Sequence, residues 1–333
     1  MLPISRPTRS LDLKAAQSSK ASTPQTGGTA EGSSSAGIVP GMKSKEVPLA
    51  GYLMARSAMH QKVEGQDLKN LRAGHATVQE VNDLLPLGRA NVIQDIEKAI
   101  DAHTPLRKYA SKKLTSTMLF EKSFDGNMSN TDIFRIGAAV TLHAKTGTCG
   151  SYAAITNPLH AAKLADMQEE RAIVAQTLHA RIDHTWSELI PNGRNADGMP
   201  ILHGKDVIMD GWCKNNLAVL REDSEFARQD VAGNADHLTH RDILDQRTGA
   251  AAWKSVEKYK AGIDGSRGKQ NIFAREVARL VEMGHEMPSE DLWNAESIFN
   301  DNFQEQAAKA LHFKRGMMAE IQAVGVSRSL GAN

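Results

Sequence analysis

Strand-like periodicity is concentrated in the middle of this chain, and that limits the folds open to it. Between Ile173 and Ile190 apolar residues alternate in part, with Val174, Leu178, Ala180 and Ile182 on one parity. Val207-Ile208-Met209 is a second apolar run, bounded by charge and by Gly211. Short segments of this kind read as buried strands. Elsewhere past Val47 the spacing is helical. Val78, Val81, Leu84 and Leu85 precede a stop at Pro86 and Gly88, and Val92, Ile93, Ile96 and Ile100 repeat the pattern with Asn91 placed as N-cap. Ile133, Phe134, Ile136 and Val140 form the buried side of a helix expected over 131–144, which ends at the turn Lys145-Thr146-Gly147-Thr148. The carboxyl third continues with Phe273, Val277 and Leu280, then Leu292, Ile298, Phe299 and Phe303, then Leu311, Met317 and Met318. The expected class is therefore α+β, a small sheet with helical regions before and after it.

The amino terminus cannot join that core. From Lys14 to Gly37 there is no Val, Ile, Leu, Met, Phe, Tyr or Trp, so nothing offsets the entropy of ordering this stretch. The expected organisation is a disordered tail over 1–46, a helical region over 47–128, a catalytic core over 129–220 and a helical region over 221–333. A Ser/Thr-rich, acid-poor start is what bacterial type III secretion substrates carry, and also what an ordinary linker looks like. Lys and Arg number 40 against 39 Asp and Glu, which leaves no electrostatic footprint for nucleic acid. The sequence has no run of 18 apolar residues, Leu2 follows Met1 where myristoylation requires glycine, and Gly331-Ala332-Asn333 is no prenylation signal, so no stable membrane insertion is expected. Two cysteines make no disulfide framework.

The chemistry is expected where a helix start meets the sheet. Gly147-Thr148-Cys149-Gly150 places a cysteine after a glycine turn and at the head of a helix running towards Ala165. Unpaired N–H groups and the positive end of the helix dipole favour thiolate there, although an isolated Cys is more often a small buried thiol. Downstream come His184-Thr185-Trp186-Ser187-Glu188, at the end of the first strand candidate, and Asp210-Gly211-Trp212, just after the second. On a strand His184, Trp186 and Glu188 share a face. Cys149 is then the candidate nucleophile, His184 its base, and Asp210 the carboxylate that orients the imidazole.

This order, a Cys at a helix head, then His-x-Trp-x-Glu, then apolar-apolar-Asp-x-Trp, resembles the transglutaminase-like branch of the papain-like cysteine enzymes. Within that group the Gly-x-Cys-Gly segment and the Ser/Pro-rich amino terminus are similar to the AvrPphE/HopX/XopE family of type III effectors from plant-pathogenic bacteria. The core resemblance covers roughly 130–215; a looser one over 65–330 rests on layout and on segments such as Ser129-Asn130-Thr131-Asp132-Ile133-Phe134-Arg135. The resemblance implies a papain-like core with its nucleophile helix packed on a small antiparallel sheet, and a triad of Cys149, His184 and Asp210. It also implies a secreted virulence effector translocated into the host cytoplasm. Its partners would be the secretion apparatus, a chaperone at the amino terminus, and a host protein or small amide as substrate. Some family members carry an amino-terminal acylation signal that this chain lacks.

An oxyanion needs donors, and the backbone N–H of Cys149 is one. Asn130 or Asn127 is the candidate for a second, against the simpler reading of an Asn in a turn. Trp186 and Trp212 either shield the His184–Asp210 hydrogen bond from water or pack as core. Cys213 reads as buried and structural, with a redox role beside Asp210 as the alternative. Gly265-Ser266-Arg267-Gly268-Lys269-Gln270 lacks the first Gly and the final Ser/Thr of a phosphate loop and reads as a flexible basic loop. No His spacing marks a zinc site, and neither metal nor cofactor is expected. Set against the thiol acyl-transfer enzyme, protease or transferase, is a host-target-binding effector whose triad is not used catalytically.

Overall fold

A computed structural model describes residues 43–293 other than 100, 102, 125, 127, 168, 214–216, 225–226, 228–236 and 289–290. The tail expected over 1–46 lies almost wholly outside the described residues, as do Ile100, Asn127 and the helical stripes beyond Trp293. The architecture is α+β. Six helices come first: α1 (Val47–Ala58), α2 (Gly65–Leu84), α3 (Ile93–Lys98), α4 (Thr104–Phe124), α5 (Asp132–Ala144) and α6 (Cys149–Ala161). Strands β1 (Ile173–His179), β2 (His184–Ile190), β3 (Val207–Met209), β4 (Val219–Leu220) and β5 (Leu238–Asp245) follow, then α7 (Gln246–Asp264) and α8 (Arg267–Glu282). The strands form one antiparallel sheet in the order β4-β3-β2-β1-β5.

Apolar residues four apart explain the long helices. In α4, Leu106, Ala110, Leu114 and Met118 make one buried stripe, and in α2 Leu71, Val78 and Val81 are fully buried. Each such Leu or Val contributes about 1.5–3 kcal/mol relative to an exposed side chain. The sheet is covered on both sides, since every residue of β2 is buried. Val174, Leu189, Val207 and Leu244 meet α2, α6 and α7 on one face, while Trp186, Ile208 and Ala227 cluster on the other. Helix α7 crosses α6 closely at Gly249, where a Cβ would lie 2.4 Å from the backbone of Ala161. A capping box turns β5 into α7: Thr248 N–H donates to Asp245 Oδ1 at 2.8 Å and Asp245 N–H to Thr248 Oγ1 at 2.9 Å.

Several sequence expectations are corrected. The stretch 173–190 is not one strand but the hairpin β1–β2, paired from Ile173↔Ile190 to His179↔His184, so His184 opens a strand rather than ending one. Asn91 does not cap α3; Val92 holds that position, and Asn91 is buried. Ile93 and Ile96 are only half-buried, because α3 spans Ile93–Lys98 alone. On α5 Ile133 is 50 % exposed and Phe134 half-buried, while Arg135 is buried in their place against Asp242, at 2.6 Å to both carboxylate oxygens. The region expected to be helical after 220 contains β5, which pairs along β1. Residues 265–270 are no flexible loop: Ser266 N-caps α8 by accepting from Lys269 N–H at 3.3 Å. Leu292 lies outside any helix, beside Trp293, which pairs with Val92.

Candidate active site

Three pieces of chain meet where β2 begins and β3 ends, inside the sheet. The first is the turn before α6. Lys145 takes the left-handed conformation (φ 62°) and ends α5, and Gly147 follows, where a Cβ would sit 2.4 Å from that of Ser151. The chain then enters α6 with Thr148 as N-cap and Cys149 as first residue. The second piece is the β1–β2 turn, which delivers His184, and the third is the end of β3. Register pairs Ser187 with Met209, so Asp210 comes one residue beyond that pair, diagonal to His184.

His184 Nε2 and Asp210 Oδ2 are 2.5 Å apart, with the His184 side chain 2 % and the Asp210 side chain 10 % exposed. The half-buried Cys149 thiol stands near enough to the imidazole to favour its charged form. Cys149 Sγ lies 3.9 Å from the carbonyl oxygen of Asp183, in the turn that delivers the histidine. The structure therefore brings Cys149, His184 and Asp210 together. Burial alone would depress the His184 pKa, but the Asp210 carboxylate, its hydrogen bond and Cys149 overcome this and raise it to about 10. Burial pushes Asp210 upward; His184, the Cys213 thiol and the Trp212 N–H outweigh it and hold the carboxyl below its usual range.

Trp186 and Trp212 flank the imidazole, with ring centroids 5.6 Å and 5.3 Å from it, and both are buried to 2 % or less. Shielding and packing thus coincide in the same rings. Each indole is fixed by its N–H: Trp212 Nε1 donates to Asn91 Oδ1 at 3.1 Å, and Trp186 Nε1 to Glu188 Oε1 at 2.6 Å. Glu188 is fully buried against Arg221, with His240 Nε2 3.5 Å away. Burial raises its pKa, and Arg221 above all brings it below the ordinary value.

Asn130 is not brought to this site. It is exposed in the turn ahead of α5, whereas Cys149 follows the other end of that helix, roughly 20 Å of helical rise away. The donors next to the sulfur are instead the N–H groups of Cys149 and Gly150, which at the first positions of α6 have no partner within the helix.

Two features escaped the sequence reading. The strap 87–92 ties the nucleophile turn to the Asp210 segment. Ala90 N–H donates to Gly147 O at 2.9 Å, Thr146 Oγ1 to Gly88 O at 2.7 Å and Arg89 Nη1 to Trp212 O at 3.0 Å. No local pattern marks such a strap, since its partners are distant in sequence. The second is Cys213, half-buried, whose Sγ lies 2.9 Å from Asp210 Oδ2 and 3.9 Å from His184 Nε2. His184, Asp210 and Cys213 carry the chemistry of metal ligands and lie within 4.8 Å of one another. Here, however, the thiol and the imidazole both turn to the one carboxylate.

Fold and site together define an α+β protein that gathers a thiol at a helix head with a hydrogen-bonded imidazole–carboxylate pair. No protein-family model, no curated protein and no solved structure matches this chain.

Proposed function

We propose that this protein is a thiol acyl-transfer enzyme, a protease or a transglutaminase-like transferase with a papain-like core. We further propose that it acts in a host cell as a secreted effector of the AvrPphE/HopX/XopE type. One observation carries the enzymatic reading: the buried His184 ring is held by Asp210 at 2.5 Å, and the Cys149 thiol at the head of α6 lies against the turn that delivers that histidine, 3.9 Å from Asp183 O. The effector reading rests on the sequence resemblance and the composition of the amino terminus.

In the proposed reaction His184 already holds the proton given up by the thiol, and the Cys149 thiolate attacks an amide carbonyl. The developing oxyanion is met by the N–H groups of Cys149 and Gly150. The C–N bond breaks, His184 protonates the departing amine, and a thioester remains on Cys149. Water or a second amine then attacks the thioester, His184 takes the incoming proton, and the thiol is released. Asp210 holds the imidazole in the productive tautomer and stabilises its charged form.

Alkylation tests the first step without knowledge of the substrate. With iodoacetamide at pH about 6, intact mass is expected to show one fast adduct on Cys149. His184→Ala is expected to slow it at least tenfold, with the near-ultraviolet dichroism unchanged. Cys213, turned to Asp210, is expected to react more slowly. Equal labelling of both cysteines, or a Cys149 rate indifferent to His184, would replace the enzyme with a target-binding protein.

A further inference from the structure

The turn that carries Cys149 opens onto a groove of about 580 Å³, walled by α4 and α5 on one side and by residues of β1, β2 and β5 on the other. Thr148, Gly150 and Ser151, which flank the nucleophile in sequence, form part of its lining. Its charge is one-sided. Lys108, Lys112 and Arg241 line it, and the described lining residues include no Asp or Glu. Lys108 is near enough to Cys149 for the two to interact electrostatically, and its nearest carboxylate, that of Asp291, stands 3.7 Å away and half exposed.

The groove changes character along its length. Lys108 and Lys112 lie towards the Cys149 end of α4, whereas Leu119, near the other end, faces the same groove together with Ile133, an apolar side chain left 50 % exposed at the start of α5. From Lys108 to Leu119 the helix rises roughly 16 Å, the span of about five residues of extended chain. Between the two ends Gln176 on β1 lines the groove. Gly137 of α5 also lines the groove, and a Cβ built on it would meet nothing within 4 Å.

We infer that the groove takes an extended polypeptide as acyl donor, acidic next to the reacting carbonyl and apolar about five residues away, where Leu119 and Ile133 receive the side chain. The inference rests on the enzymatic reading of Cys149. A small amide would fill the cationic end alone and leave the apolar end unused. A basic segment would face three cations in a cleft where field lines are focused.

Two measurements on the full chain test it. Cys149 is first alkylated with neutral iodoacetamide and with anionic iodoacetate at low salt. The ratio of iodoacetate to iodoacetamide rates is expected to fall at least fivefold in the double variant Lys108→Glu, Lys112→Glu, and to approach the variant's value in wild type at about 0.5 M salt. Hexapeptide amides with two Glu at one end and Leu at the other are then used to protect Cys149 from iodoacetamide. Millimolar peptide is expected to slow labelling at least threefold, and the counterparts with Lys for Glu or Ser for Leu much less. A rate ratio indifferent to the charge reversals, or protection indifferent to peptide charge, overturns the inference while leaving the enzyme standing. A Cys149 inert to both reagents removes the enzymatic reading, and the inference with it.

Discussion

His184 sits between two indoles with an acid on one side and a thiol on the other, and each neighbour acts on its proton. The rings exclude water, which by itself disfavours the charged imidazole; the Asp210 carboxylate at 2.5 Å more than reverses this. The folded-state value, about 10, lies above the ordinary 6.5, so the pair's stabilisation is complete below pH 6.5 and is lost as pH rises towards 10. On the acid side Asp210, held below its usual range, ceases to contribute only when the pH falls through its lowered value. Wild type is therefore expected to exceed Asp210→Asn in urea midpoint most clearly near pH 6 and progressively less towards pH 10. Parallel curves for the two proteins across that range would mean that the pair does not titrate as the geometry requires. Beneath Trp186, Arg221 answers the buried Glu188 and also lies 3.3 Å from Asp206. Burial, helped by Glu188, pushes Asp206 up to about 7 against the pull of the His203 N–H and Arg221. Its raised value reverses the usual carboxylate behaviour, since its contribution is present at acid pH and is lost as pH rises through about 7. Asp206→Asn is thus expected to gain stability relative to wild type between pH 5 and pH 8, measured by urea unfolding at both values.

At the scale of elements, the helices around the site obey two opposite constraints on glycine. Gly137 lies inside α5 with open space where its side chain would be, so Gly137→Ala is expected to raise stability by about 0.5–1 kcal/mol through helix propensity. Gly249 lies where α7 crosses α6, and its Cβ would meet backbone at 2.4 Å. Gly249→Ala must push the helices apart and is expected to cost about 1–3 kcal/mol. Urea unfolding of both variants checks the pair; a loss at Gly137 or no loss at Gly249 would contradict the packing described. The exposed Ile133 also belongs to this scale. Helical periodicity assigned it to the core, yet α5 buries Arg135 in that region, because Asp242 offers a bidentate partner from β5.

For the molecule as a whole, the described residues between Lys43 and Trp293 belong to one compact unit, which takes in the described parts of the regions expected over 47–128, 129–220 and 221–333. β5 completes the sheet along β1, α7 covers α6, and α1 is tied to the segment after β4 through Tyr52 and Arg56, which both bond Asp223. A fragment limited to 129–220 would expose the β5 edge of β1 and the α7 side of α6. It is expected to show no cooperative urea transition, whereas 43–333 is expected to keep one. A sharp transition in the short fragment would show that the core folds alone. Among the described residues no helix is long and apolar enough to cross a membrane.

The sequence alone determined what depends on neighbours a few residues apart. Periods of 3.6 and 2 separated helix from strand, and Gly147 before Cys149 marked a helix start. The parity of His184, Trp186 and Glu188 gave them one face before any contact was known. What only the tertiary structure decided involves partners far apart in the chain. Whether 173–190 is one strand or a hairpin depends on pairing with β3 and β5, which alternation within the segment does not encode. Asn130 stood close to Cys149 in sequence and was separated from it by the rigid length of α5, while Arg89 and Asn91, more distant in sequence, were folded against Trp212. Cys213 followed a tryptophan and read as core, yet its thiol turned to Asp210 because two turns of chain converged on one carboxylate. Such contacts arise only when the core closes, since hydrophobic burial selects which faces meet and the polar groups then bond with whatever partners that closure brings within reach.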